Sequence, residues 1–260
     1  MMKIIEKYIV GKKNPETCED GLVVTDDFVA VVDGSTSKTP THLHPDMKNG
    51  RYAMTLISEY IREELEADAS VDDFCRGVTD YIYHKAYCPL GVAERLRSHP
   101  EERLAASAVL YSRKRQEVWM VGDCQAIVAG RLYENGKPYE QGIAEKRVAL
   151  IRQGKTPAEA RKAIEPLLVQ AMLDGQNRDY AVIDGFPIYW AGVKVVPAAG
   201  EIVLASDGYP FLKPTLKESE EALAEQLAHD PQNEKTFIAT KGLVDGNKSF
   251  DDRTYVRFQL

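Results

Sequence analysis

No run in the 260 residues approaches the roughly 18 consecutive apolar residues of a membrane-spanning helix. Cysteine is scarce and scattered. The four (Cys18, Cys75, Cys88 and Cys124) form no C-x-x-C pair, which speaks against a structural zinc site and a disulfide framework. Basic residues do not predominate: 33 Lys and Arg stand against 40 Asp and Glu, for a formal net charge of −7. The basic face of a nucleic-acid binder is therefore not expected. Internal repeats and low-complexity linkers are missing, and the opening MMKIIEKYIV lacks the apolar core and cleavage site of a secretory signal. What is present is an ordinary globular composition, 44% hydrophobic and 28% charged. The length suits one large domain or two small ones. The expectation is an acidic, cytoplasmic, enzymatic protein, with neither membrane nor nucleic acid as a partner.

Two strand-like runs come early, Leu22–Thr25 and Phe28–Asp33, separated by an Asp26-Asp27 turn. The second is apolar at successive positions, as in a strand covered on both faces. Helical spacing runs through residues 48–65, with Ala53, Ile57, Tyr60, Ile61 and Leu65 on one face. Ser70 with Asp73 caps another helix, and Thr156 with Glu159 and Thr215 with Glu218 read as capping boxes. Pro166 is expected to kink or end the second of these three helices, and Pro231 to stop the third. Further strands are expected at Leu104–Ser112, Glu117–Val121, Gln125–Leu132, Val193–Val196, Glu201–Ala205 and Thr254–Phe258. Asn135-Gly136 marks a hairpin turn, and Asp184-Gly185 another, between Tyr180–Ile183 and Ile188–Trp190. The order of strands and helices is not a strict βαβ alternation. It reads as α+β, with largely antiparallel sheets and helices packed outside.

The acids stand at particular places. Three apolar runs end in a small residue and a carboxylate: Val29–Val32 at Asp33-Gly34, Trp119–Val121 at Gly122-Asp123, and Ile202–Ala205 at Ser206-Asp207. Asp251-Asp252 precedes the last strand, and Glu19-Asp20 the first. One Asp-Gly after a strand reads as a turn. Several acidic strand ends at one rim are different, because concentrated negative charge costs stability unless cations neutralise it. Hard carboxylate oxygens without Cys or His point to Mg²⁺ or Mn²⁺. Two such ions about 4 Å apart would hold a hydroxide and polarise a phosphate.

In order and spelling these segments resemble the metal-dependent protein phosphatases of type 2C, the PPM family. The matching pieces are CED at 18–20, VAVVDGST at 29–36, LAASAVL at 104–110 leading to VGDCQA at 121–126, VLASDGY at 203–209, and FDDRTYVRF at 250–258. The resemblance implies a four-layer α-β-β-α sandwich, two mainly antiparallel sheets flanked by helix pairs. It implies one phosphatase-like domain over residues 1–260, with a variable helical flap at 136–190. Carried over by position, Asp33 would bridge two metal ions, Mn²⁺ or Mg²⁺, with the Gly34 carbonyl as a further ligand. Asp207 and Asp251 would complete one site, Glu19 and Asp20 would hold the second ion mainly through water, and Asp123 would take a third. The implied reaction is hydrolysis of phosphoserine or phosphothreonine in a phosphoprotein by metal-bound hydroxide, with Asp33, Asp207 and Asp251 at its centre.

Three departures from the family pattern stand out. Pro15 occupies the place of an arginine that holds phosphate in eukaryotic members, leaving Lys12, Lys13 and Ser35 as candidate phosphate-binding residues. Lysine is a point charge without the bidentate fork of arginine. Ser35 stands where many members have a histidine general acid, and a helical stretch at 140–174 replaces the usual Asp-His pair. Two alternatives follow. One is a phosphatase-fold regulatory or binding protein of weak or no activity. The other is a haloacid-dehalogenase-type phosphatase with Asp33 as nucleophile, although Ile127 lies where VGDCQA would need a second acid. Among the remaining features, Arg147, Arg152, Lys155, Arg161 and Lys162 read as a solvated helix face, and His42 and His44 as solvent-facing. His84, His99 and His229 have no partner by spacing, Cys124 reads as a small buried hydrophobe, and Ser35–Pro40 as a hydroxyl-rich loop.

Overall fold

Short strands joined by turns close into two sheets, seen in a computed structural model that describes residues 2–260. The first sheet contains, in spatial order, β1 (Lys3–Val10), β10 (Arg253–Gln259), β9 (Glu201–Ala205), β6 (Gln125–Val128) and β7 (Arg131–Tyr133). The second contains β2 (Asp20–Val24), β3 (Phe28–Gly34), β4 (Ala106–Ser112), β5 (Glu117–Val121) and β8 (Val193–Pro197). Every strand pairing in both is antiparallel. The parallel βαβ arrangement that a haloacid-dehalogenase-type enzyme needs is therefore missing, and that alternative falls.

The period-two alternation of each strand decides which layer a side chain joins. Val29 and Val31 of β3 face the other sheet, where they share a core with Val109, Met120, Ile202, Leu204, Val256 and Phe258. Phe28, Ala30 and Val32 face the other way and pack under α1 (Asn49–Glu63) and α2 (Val71–Ile82), against Ile57, Ile61, Phe74 and Val78. This is why β3 is apolar from Phe28 through Val32: both of its faces are covered. On the far face of the first sheet, Ile127, Val203 and Tyr255 pack with Tyr209 and Leu212. Helix α7 (Leu216–His229) is tied to that face by Glu220, whose carboxylate takes two 2.8 Å hydrogen bonds from Arg253. The layers are thus helix, sheet, sheet, helix. The chain also forms the short helices α3 (Cys88–Leu90) and α4 (Ala93–Ser98) and the pair α5 (Glu140–Arg152) and α6 (Pro157–Gly175), whose Ile143, Ile164 and Leu168 pack together. No helix among the described residues is long and apolar enough to cross a membrane.

All three capping boxes form, at Ser70, Thr156 and Thr215. Five local readings change. Strand β1 was not anticipated, because a bulge between Ile4 and Glu6 flips its alternation: Ile4 packs between the sheets, whereas Tyr8 packs on the outer face. Residues 125–132 are not one strand but a hairpin turned at Ala129-Gly130, both at positive φ, 48° and 77°. The expected turn residue Asn135 instead donates its side-chain amide to the carbonyls of Gly122 and Gly192, at 3.0 and 2.8 Å. Helix α6 runs through Pro166 to Gly175, with buried Ile164 and Leu168 holding the turns on either side. Asp184 is no plain turn residue. It is fully buried and accepts from Arg103, Gln176, Asn177 and the Phe186 amide, at 2.8 to 3.0 Å. The strands expected around it are reduced to two isolated bridges, Ile183 with Ala106 and Tyr180 with Gln176.

Candidate active site

Strand ends of both sheets meet at one rim. Asp33 closes β3, and the ladders set it opposite Asp20 on β2 and Ser107 on β4. Gly122, just past β5, sits at φ +86°, and a Cβ there would lie 2.2 Å from Ser107 Oγ. Only glycine permits that turn, which sets Asp123 beside the Ser107 hydroxyl. Asp207 follows β9 by two residues and Asp251 precedes β10 by two. Asp33, Asp123, Asp207 and Asp251 all line a single cavity of about 490 Å³, together with Gly34 and Ser35. Four carboxylates from four separate parts of the chain are thereby brought together.

Glu19 and Asp20 lie just behind this lining, both buried. Asp20 accepts a 3.0 Å hydrogen bond from Thr254 Oγ1, and burial, aided by Asp252 and Asp207, pushes its carboxyl up to about 7 against the pull of the Ser206 and Thr254 hydroxyls. Burial, with Asp207, Asp20 and Asp123 close by, likewise holds Asp33 well above the usual carboxylate range. Glu19 Oε2 accepts from Thr36 Oγ1 at 2.5 Å, whereas Glu19 Oε1 is buried with no partner. Crowded acids of this kind exert a standing electrostatic demand for cations.

Lysines meet part of that demand. Lys12 Nζ lies 2.8 Å from Asp251, 3.3 Å from Asp252 and 3.7 Å from Glu19. Burial alone would lower its pKa, but Asp252 and Glu19 outweigh burial and raise it. Lys137 pairs with Asp123, and Lys241 pairs with Asp251. Of the three residues considered for phosphate, Ser35 lines the cavity, Lys12 is turned onto the carboxylates behind it, and Lys13 is exposed and outside the lining. Sequence reasoning missed Lys38, Lys137 and Lys241, each of which faces the cavity from a loop without periodicity or motif.

The basic segment 147–162 is not a solvated face throughout. Arg147 is buried and donates to the Gln232 and Ala239 carbonyls, at 2.8 and 3.3 Å, and Arg161 faces the cavity and donates to the Thr240 carbonyl at 2.8 Å. Arg152, Lys155 and Lys162 are exposed. Cys124 is a fully buried core residue. His42 is exposed, whereas His44 is half-buried against the Tyr52 ring. All three of the remaining histidines have partners: His84 with Cys88 Sγ at 3.8 Å, His99 with Glu101 at 3.1 Å, and His229 with the Glu225 carbonyl at 2.9 Å.

The donor set fits a hard divalent cation: it is all oxygen, heavily anionic, and includes the partnerless Glu19 Oε1. A Cβ on Gly34 would strike the Gly50 carbonyl oxygen at 2.1 Å, and one on Gly50 would meet Glu19 Oε1 at 2.5 Å, so two glycines keep the backbone close around this carboxylate. Three ligand atoms within 4.8 Å of one another occur, among the described residues, at His99, Glu101 and Glu102 and not at the rim. There Arg95 already holds the Glu102 carboxylate through two hydrogen bonds of 2.8 and 2.7 Å.

No protein-family model matches the sequence, and no curated protein does. Solved structures do match. The serine/threonine phosphatase PstP/Ppp of Mycobacterium tuberculosis is 15% identical, with 100% of this chain and 98% of that one covered and a TM-score of 0.48. Serine/threonine phosphatase Stp1 from Staphylococcus aureus is 12% identical over 100% and 95%, at 0.47. The PPM Ser-Thr phosphatase MsPP from Mycobacterium smegmatis is 19% identical over 99% of each chain, at 0.46. In overall structure the chain is similar, over its full length, to bacterial PPM-type serine/threonine phosphatases.

Proposed function

We propose that this protein is a metal-dependent phosphomonoester hydrolase acting on phosphoserine or phosphothreonine of phosphoproteins in the cytoplasm. The observation that carries the reading is the convergence of Asp33, Asp123, Asp207 and Asp251 on one cavity, with Glu19 and Asp20 buried behind it. In this reading residues 1–260 act as one phosphatase-like domain with residues 136–190 as its flap. Asp33, the Gly34 carbonyl, Asp207 and Asp251 would hold Mn²⁺ or Mg²⁺, Glu19 and Asp20 a second such ion, and Asp123 a third. Bound there, divalent cations supply Lewis acidity toward phosphoryl oxygens and lower the pKa of water. The chain's own contribution is orientation. Ser107 and Lys137 fix Asp123, Lys12 fixes Asp251, and Thr36 fixes Glu19. Ser35 lines the cavity, and in this reading its hydroxyl would donate to a phosphoryl oxygen there.

A second reading has its own observation. Because Lys12, Lys137 and Lys241 neutralise Asp251 and Asp123 from within the protein, the fold could serve as a phosphopeptide-binding regulator without turnover. Hydrolysis of p-nitrophenyl phosphate and of a phosphothreonine peptide with Mn²⁺ separates the two. Turnover that falls about a hundredfold or more in Asp33→Asn and Asp207→Asn is the expected result. Peptide binding with no metal-dependent turnover would instead establish the regulator.

A further inference from the structure

The cavity has two unlike walls. One is the acidic rim described above. The other is cationic and is assembled from three places: Lys38 on the Ser35–Pro40 loop, Arg161 on α6, and Lys137 and Lys241 at the border between the walls. The border lysines are paired with Asp123 and Asp251. Lys38 and Arg161 are different, since neither makes an ion pair among the described residues. Lys38 Nζ donates to the Thr36 carbonyl at 2.7 Å, and Arg161 Nη1 donates to the Thr240 carbonyl at 2.8 Å. Both side chains are half-buried, so their charges are shielded only in part by water. Burial and the neighbouring charges of Lys241, Arg161 and Lys137 push the Lys38 ammonium down to about 7. Burial also lowers Arg161, and Glu165 one turn along offsets this only in part. Two cations that repel one another across a cavity and hold only backbone carbonyls are stabilised by any anion placed between them.

We propose that Lys38 and Arg161 form a subsite for a second anionic group, a carboxylate or phosphate, on the same ligand whose phosphoryl group meets the acidic wall. The inference rests on the phosphatase reading for the phosphoryl half of that ligand. It adds that the other half is anionic, and that the preference resides in these two side chains. A cavity of about 490 Å³ has room for both groups of one small ligand or of one peptide segment.

The test compares pairs of ligands that differ in one charge. Glycerol 3-phosphate and 3-phosphoglycerate differ by a carboxylate, and two phosphothreonine peptides differ by Glu or Gln beside the phosphoresidue. Binding to the full chain with Mn²⁺ is measured by calorimetry, and turnover is followed separately. The anionic member of at least one pair is expected to bind about tenfold more tightly, as for a hydrogen bond to a charged group. Arg161→Met should reduce that ratio, and Lys38→Glu should abolish or invert it. Lys38→Glu lies on a loop and keeps the test decisive should Arg161→Met loosen the 240 segment. A ratio confined to the small-molecule pair identifies a metabolite-like ligand; one confined to the peptides identifies an acidic phosphopeptide. Equal binding within both pairs, or a ratio unchanged in both variants, overturns the subsite. Turnover without a ratio removes the subsite and leaves the phosphatase reading standing. A ratio without turnover does the reverse.

Discussion

Asp251 and Asp252 are adjacent in sequence and do opposite work. Asp251 faces the cavity, whereas Asp252 is buried and accepts the backbone N–H groups of Lys12 and Glu19 at 2.7 and 3.1 Å. It therefore ties the segment carrying Lys12 and Glu19 to the start of β10. Asp252→Ala would leave two buried amides and the Lys12 ammonium without this partner, and should cost about 3 kcal/mol in urea unfolding. Asp252→Asn, which retains acceptor oxygens, should cost less. The candidate acids were all legible as residues, because a carboxylate that ends an apolar run is conspicuous. What each would touch was not. The family resemblance singled out Asp251, but no local pattern separates it from Asp252, since the distinction lies in which backbone amides fold back against each. Lys241 is equally silent, because its pairing with Asp251 depends on how the loop before it is held.

That loop belongs to the scale of elements. Asp230 ends α7 and accepts the amides of Glu234, Lys235 and Thr236 at 3.0, 2.9 and 2.9 Å, while Arg147 on α5 holds the Gln232 and Ala239 carbonyls. Burial alone would raise the Asp230 carboxyl, but the three amides and Gln226 outweigh it and hold it below the usual carboxylate range. The sign follows. A carboxyl whose folded pKa is depressed adds stability above its unfolded value, near 3.9, and loses it as pH falls through the folded value. The protection of the amides of residues 234–236, taken relative to their intrinsic exchange rates, is therefore expected to fall as pH is lowered from about 5 toward 2, and Asp230→Asn should remove most of that pH dependence. Uniform exchange protection through that range would contradict this role. Elements with a local chemical signature were readable from sequence: the capping boxes at Ser70, Thr156 and Thr215, and the doubly covered strand β3. Strand β1 was hidden by its bulge, and the hairpin at Ala129-Gly130 by a non-glycine residue at positive φ.

At the scale of the whole molecule, the proposed metal centre makes folding and function interdependent. Its ligands come from the starts or ends of strands in both sheets, so an ion that binds only the folded chain stabilises the stack of sheets as a unit. Mn²⁺ at a hundred times its dissociation constant should add about 2.7 kcal/mol and raise the melting temperature by about 5–10 °C. Calorimetry of the wild type and of Asp33→Asn and Asp207→Asn checks this: the shift should shrink in both variants, and an equal shift in all three would place the ion elsewhere. The sequence by itself determined the class of the fold and the identity of the acidic strand ends. Hydrophobic periodicity, capping and charge placement act over a few residues and are written locally. The tertiary structure alone decided that these acids share one cavity, that lysines from remote loops pair with two of them, and that Lys38 and Arg161 face the same space. Such meetings depend on antiparallel register and on loops held by backbone carbonyls far away in sequence, and no local pattern of side chains encodes those distances.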